Sequence, residues 1–492
     1  MQQLTKQNLW KSLEDHAQTL HAQTLNRSHQ RAPCPTRQYT ACNIRLDYSH
    51  QHVTDHTLEL LFSLAKRCSL QEKIQGLLTG DKVNLSENRP ALHTALRAPE
   101  HTEIWVDGHN IMEDVIVARH KMKALVEQIR NKQWLGFSGQ PIRDIVNIGM
   151  GGSDLGPRFC IKAFADYRSP DFGYHFISDA DPNSFNNAVA MLNPETTLFI
   201  VSSKSFTTQE TLYNARKAMA WIGHPKHYDR HFIAVTAQVE KAYQFGIPTV
   251  LPIWNWVGGR YSFCSAINLI GAIALGYESF NQILAGAHSM DQHFQHSQFS
   301  DNLPILLGLL GVWNNNFLSF HNLLILTYAQ QLEQLMPYIQ QLDMESNGKS
   351  IDNQGNPVRC ATGPLVWGGP GNQAQHSYYQ LLCQGTHKVA ADIITLKSFE
   401  GQIINDMAAA KIEVLAYGVH DKDPNAFISG NLPLNHLCLE DCSPFTIGAL
   451  IALYEHKIFT QSIIWDINAF DQPGVESAKR TRLLQKTEQS MV

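Results

Sequence analysis

The sequence predicts an α/β protein built on two parallel sheets, each flanked by helices. Three features carry this expectation. Short apolar runs bounded by turn residues alternate with segments of helical period from about residue 143 onward; the alternation breaks once and resumes; and the first hundred residues show helical spacing with few strand signals. At 492 residues the chain is long enough for two or three domains.

Taken in order, residues 1–105 carry spacing such as Leu58, Leu60, Leu61, Leu64 and Ala65 and read as mostly helix, with no sheet of their own. Apolar runs at 145–148, 174–177, 198–201, 232–235 and 249–253 then read as strands separated by helices, the pattern of βαβ units. From 265 to 340 the chain is helical and strongly apolar. The stretches 266–275 and 303–313 fall short of the roughly 18 residues a membrane span needs, so they read as core helices. A polar Gly/Asn segment at 345–358 precedes a second alternation, with strands expected at 364–367, 389–395 and 463–467. The expected division is a smaller domain at 106–275 and a larger one formed by 276–492 and completed by the helices of 1–105.

Composition excludes several functions. Lys and Arg number 39 against 44 Asp and Glu, a net charge of −5, so no broad cationic field is offered to nucleic acid or anionic lipid. Charged residues make up 17% and hydrophobic ones 43%, the reverse of a disordered composition. The N-terminus lacks the apolar core of a secretory signal, which points to the cytoplasm and reduced thiols for the nine Cys. Cys438 with Cys442, His52 with His56 and His227 with His231 are close in sequence, but no further ligand accompanies any pair, so neither metal nor cofactor is expected.

Six segments carry groups suited to chemistry. In Asn147-Ile-Gly-Met-Gly-Gly-Ser153 a strand runs into a glycine turn and a helix, which lets backbone approach a ligand or simply makes a tight connection; Gly152 and Ser153 are the candidates. In Ser202-Ser-Lys-Ser-Phe-Thr-Thr208 a buried strand ends in several hydroxyls and one cation at a helix start. Such a terminus suits an anion, with Ser203, Lys204, Ser205 and Thr208 around it, although Thr207 with Glu210 also fits a capping box. Arg260 in Val257-Gly-Gly-Arg-Tyr-Ser262 is a fixed cation for a developing oxyanion, or a surface residue after a turn. Glu345, in Gln341-Leu-Asp-Met-Glu-Ser-Asn-Gly-Lys349, reads as a carboxylate on a turn-rich loop, and His376 as opening a helix after a Gly/Pro loop. Pro473 suits a first helical turn, which puts Lys479 near the end of the second, where an exposed lysine is the ordinary outcome.

Together and in this order, the six segments resemble the phosphoglucose isomerase family from about residue 105 to 480. Gly258-Gly-Arg-Tyr-Ser262 and Phe470-Asp-Gln-Pro-Gly-Val-Glu-Ser-Ala-Lys479 are the most specific. The resemblance implies two sugar-isomerase (SIS) domains and interconversion of glucose 6-phosphate and fructose 6-phosphate through an enediolate, by a homodimer in glycolysis and gluconeogenesis. It also implies that Glu345 moves the proton between C1 and C2, His376 and Lys479 open and close the ring, and Arg260 stabilises the enediolate. Ser203, Ser205 and Thr208, with Lys204 adjacent, would hold the phosphate, and Gly152, Ser153, Gln341 and Gln472 would line the rest. This chain departs from the family pattern at Gly369, where an acid is usual, in Asn372-Gln-Ala374 before His376, and at Pro473 where a Trp is usual. A non-catalytic sugar-phosphate sensor would have no use for Glu345 or Lys479, and a bifunctional glucose/mannose phosphate isomerase would differ in how it accommodates the C2 hydroxyl.

Overall fold

The structure, a computed structural model, describes residues 2–26 and 37–478, with side chains described over 6–20 and 37–478. A long helix, Gln2–Asn26, leads to a hairpin of β1 (Gln38–Ala41) and β2 (Ile44–Asp47), turned by Cys42 and Asn43 at φ +50° and +64°. Two left-handed residues in a two-residue loop match the twist of the paired strands. A second small hairpin joins β3 (Trp105–Val106) to β4 (His109–Asn110).

The first sheet comprises β5 (Asp144–Gly149), β6 (Gly173–Ile177), β7 (Thr197–Ser202), β8 (Phe232–Thr236) and β9 (Val250–Pro252). All are parallel, in the order β6-β5-β7-β8-β9. Every residue of β7 and β8 is buried because helices cover both faces, which is why these strands read as continuous apolar runs. The strand order reverses between β5 and β7, and such a switch point opens a crevice at the carboxyl ends of the strands. The second sheet has β10 (Asn322–Thr327), β11 (Leu365–Pro370), β12 (Ala390–Leu396) and β13 (Leu434–Leu439) parallel in the order β13-β12-β10-β11, and β2 adds antiparallel to β13.

Three expectations need correcting. Residues 1–105 do contribute strands: Ile44 and Leu46 of β2 are fully buried, and β1–β2 extends the second sheet. Residues 463–467 are not a strand. They close the helix Pro444–Trp465, which is buried on nearly all sides, so its apolar residues lack the one-sided helical stripe. Residues 322–327, inside the stretch expected to be helical, form the strand β10 because they pair between β11 and β12, and Leu434–Leu439 adds a strand where none was expected.

The helix Pro444–Trp465 crosses the core and carries charge into it. Arg97 is buried and donates through Nε and Nη2 to Asp291 at 2.8 and 2.7 Å and through Nη1 to Glu455 at 2.6 Å. The ring of His456 meets the same Asp291 at 2.6 Å. Burial pushes the Glu455 carboxyl up to about 7 although Arg97 pulls the other way, while Arg97 holds Asp291 far below the usual carboxylate range. Removing the cation would strand two carboxylates in the core. Arg97→Met should therefore cost about 3–5 kcal/mol in a denaturant unfolding titration; a loss under about 1 kcal/mol would mean that water already reaches the cluster.

Candidate active site

Three loops meet at the carboxyl edge of the first sheet. The turn after β5 enters the helix Gly152–Ala163 through Gly151 at φ +54°. A Cβ on Gly152 would lie 2.1 Å from the carbonyl oxygen of Gly259 and 2.7 Å from the amide nitrogen of Arg260, so only glycine lets these backbones pack together. The buried Asn147 amide donates to the carbonyl of Ser153 at 2.9 Å and its oxygen accepts from Ser202 Oγ at 3.3 Å, tying the turn after β5 to the end of β7.

The loop after β7 holds the hydroxyls. Phe206, at φ +48° and buried, turns the chain so that Ser205 and Thr207 face solvent. Thr208 is the N-cap of the helix Gln209–Ile222, yet its side chain makes no capping hydrogen bond, so the capping box of Thr207 with Glu210 does not form. Thr208 Oγ1 instead accepts from Ser203 Oγ at 3.3 Å, and Thr207 Oγ1 donates to Ser205 Oγ at 2.8 Å. The helix's first-turn amides and these hydroxyls make a cradle suited to a phosphate. Lys204 leans to the third loop, donating to the carbonyls of Asn255 and Val257 at 3.0 and 2.8 Å. Burial, and to a lesser extent the Arg89 guanidinium, lower its pKa to about 8.

Arg260 lies past β9 and is 3% exposed, which excludes the surface reading. Its Nε donates to Ser346 Oγ at 2.7 Å, Nη2 to the carbonyls of Ala469 and Asp471 at 2.6 and 3.1 Å, and Nη1 to Gln472 Oε1 at 3.2 Å. Nη1 also stands 3.5 Å from Glu345 Oε1. Glu345 is in the last turn of the helix Leu335–Asn347, not on a loop, because the Gly348 after it ends the helix. Its Oε2 accepts from Gln341 Nε2 one turn back at 2.9 Å, and that same Nε2 lies against Gly151. Gly152, Arg260, Gln341, Glu345 and Gln472 are thus joined in one network. Ser153, beside Gly152, occupies the helix's first turn rather than its cap.

The remaining expectations fare differently. His376 is exposed in the turn after the short helix Gly371–Ala374, rather than opening a helix, and its side chain has no hydrogen-bond partner among the described residues. Gly369 before it has φ +141°, a conformation that disfavours any other residue there. Lys479 lies outside the described residues. Among the described residues no three His, Cys, Asp or Glu side chains gather as a metal site, Cys438 and Cys442 are free thiols, and no helix is long and apolar enough to cross a membrane.

Four groups escaped the sequence reading. Ser346 and Lys349 share a segment with Glu345, and Asp471 precedes Gln472. Tyr261, next to Arg260, places its OH 2.9 Å from Ser346 Oγ. Lys349 Nζ lies 3.3 Å from Asp471 Oδ1, and burial together with the Arg260 charge lowers its pKa to about 8. Adjacency to the motif residues was the available signal.

The phosphoglucose isomerase family model matches residues 47–491. A glucose-6-phosphate isomerase of Legionella pneumophila (strain Paris) is 62% identical over 437 residues, covering 89% of this chain and 88% of its own. One from Deinococcus deserti is 43% identical over 506 residues, covering 97% and 93%. The crystal structure of a glucose-6-phosphate isomerase from Chlamydia trachomatis matches with a TM-score of 0.85 at 30% identity, over 93% of this chain and 90% of that one. With the family model spanning nearly the whole chain and relatives this similar along it, the chain belongs to the phosphoglucose isomerase family.

Proposed function

We propose that the chain interconverts glucose 6-phosphate and fructose 6-phosphate with Glu345 as the base that carries a proton between C1 and C2. The observation that carries this reading is the pairing of Glu345 with Arg260. A guanidinium has five N–H groups, and four of Arg260's are taken by Ser346, Ala469, Asp471 and Gln472. The fifth, on Nη1, remains on the side facing Glu345. It suits the oxygen on which negative charge builds when the carboxylate removes the neighbouring carbon-bound proton. Gln341 holds Oε2, which leaves Oε1 as the oxygen free to take that proton.

In this scheme Ser203, Ser205, Thr208 and the first-turn amides bind the phosphate, and Lys204 supplies charge from the side. Anchoring the far end of the substrate turns binding energy into orientation at the reacting carbons. Gly152, Ser153, Gln341 and Gln472 border the sugar. Ring opening and closing fall to His376 and Lys479, by the family pattern alone. The division at 106–275, a homodimer and a cytoplasmic location belong to the same proposal. The sensor reading is the weaker one, since it gives no role to a carboxylate aimed at a guanidinium.

Glu345→Gln should lower kcat by at least about 10³ with KM nearly unchanged, because the amide keeps size and hydrogen bonding but cannot accept a proton. A loss below tenfold in steady-state kinetics would remove Glu345 as the base. Thr208→Ala should raise KM for fructose 6-phosphate and weaken competition by inorganic phosphate, while Tm stays unchanged because the hydroxyl caps nothing; a lower Tm at constant KM would return it to a structural role.

A third expectation concerns pH. Lys204 carries its charge below about 8 in the free enzyme and loses it above. Since kcat/KM reports free-enzyme groups, it should fall as pH rises through that value, and Lys204→Arg should carry the fall to higher pH. An alkaline limb unmoved by the substitution would show that Lys204 does not set it.

A further inference from the structure

Lys349 stands just beyond the helix Leu335–Asn347 and folds back over its end, donating from Nζ to the carbonyls of Glu345 at 3.0 Å and Ser346 at 2.8 Å. The last carbonyls of a helix lack partners within it, and they form the negative end of its dipole, so they offset part of what burial costs an ammonium there. The same Nζ pairs with Asp471 Oδ1 at 3.3 Å, and these side chains are only 11% and 12% exposed. Asp471 Oδ2 accepts from Ser86 Oγ at 2.6 Å, and the main-chain carbonyl of Asp471 accepts from Arg260 Nη2.

A closed ring results. Arg260 donates to Ser346 Oγ and to the Asp471 carbonyl; Asp471's carboxylate pairs with Lys349; and Lys349 donates back to the carbonyls of Ser346 and Glu345. The ring joins the helix bearing Glu345 to the segment that seats Arg260, and Lys349 is its only cation besides Arg260 itself. Proton transfer from carbon demands close placement of the base against both substrate carbon and oxyanion donor, and a displacement near 1 Å costs on the order of 10² in rate. The phosphate cradle at 203–208 belongs to another loop and shares no bond with Lys349.

Resting on the reading of Glu345 and Arg260 given above, we propose that Lys349, through its bonds to the Glu345 and Ser346 carbonyls and its pairing with Asp471, is a positioning residue that fixes the base relative to the guanidinium.

The test uses the full chain carrying Lys349→Met, which keeps the stem's length and apolar character and removes charge and donors. For fructose 6-phosphate, kcat should fall by roughly 10² while KM changes less than about threefold. Affinity for a five-carbon aldonate phosphate that mimics the enediolate should fall with kcat, and affinity for inorganic phosphate should not. Lys349→Arg should restore part of the rate. Asp471→Asn, which breaks the ion pair but keeps the main-chain carbonyl on Arg260, should show the same split, and the double variant should be no slower than Lys349→Met alone. Asp471→Asn also decides the matter if Lys349→Met does not fold. An unchanged kcat beside a lowered Tm would reduce Lys349 to a helix cap and overturn the proposal, as would additive losses in the double variant. A fully active Glu345→Gln would instead overturn the underlying assignment of the base, so the two failures are told apart.

Discussion

The site depends on the burial of one guanidinium. Arg260 is held by Ser346 from 86 residues away and by the Ala469 carbonyl from 209 away, and the glycine turn after β5 presses on its main chain. A charge withdrawn from water is tolerable only when its donors are met, so three remote stretches must arrive together before Arg260 can settle there. Tyr261 braces it from below: its ring faces His93 at 4.7 Å and Phe470 at 5.3 Å, and His93 lies 3.8 Å from Glu455 of the Arg97 cluster. The Arg260 network thus packs, through the rings of Tyr261 and His93, against the second buried charge system around Arg97.

The anion cradle follows the opposite logic. Among the described residues, Ser203 and Thr208 bond only to each other through their side chains, and Ser205 with Thr207 forms a second such pair. A hydroxyl can turn from its neighbour to a ligand oxygen at little cost, whereas a fixed charge would need a balancing partner within the loop. The nearby cation is kept on backbone carbonyls at the loop's side, with its proton affinity reduced. A bound dianion would raise that affinity again, so charge is drawn in as the substrate arrives.

How much of this the sequence disclosed depended on where a residue's partners lie. The central strands β7 and β8 were legible because they are buried on both faces and leave unbroken apolar runs. The hairpin Gln38–Ala41 and Ile44–Asp47 was not, since its outer strand is partly exposed along its length and its turn uses Cys42-Asn43 rather than a glycine pair. Residues 463–467 misled because a short apolar run at the end of an all-buried helix has no period that separates it from a strand. Glu345 was found as a residue but placed on a loop, because Ser346, Asn347 and Gly348 look like turn chemistry and in fact end a helix. Arg260's main-chain acceptors at Ala469 and Asp471 could not be read at all: every residue has a carbonyl, and only the fold decides which one is aimed.

On the proposed reading, the interlocked ring contains the groups suited to proton transfer at carbon and leaves out His376. Glu345, Arg260, Gln341 and Gln472 constrain one another through short contacts, whereas His376 is exposed and has no side-chain hydrogen bond among the described residues. The difference matches the chemistry. Removing a proton from carbon generates charge on a neighbouring oxygen and needs donors already in place, because reorganising them during the step would return much of the barrier. Ring opening breaks the bond between the anomeric carbon and the ring oxygen as the anomeric hydroxyl gives up its proton to become a carbonyl and the ring oxygen takes one up; both protons move between oxygens already hydrogen-bonded, which a less constrained side chain can serve. On the reading proposed above, the fold concentrates its buried charge where the carbon acid is handled, around Glu345 and Arg260, and leaves His376 exposed.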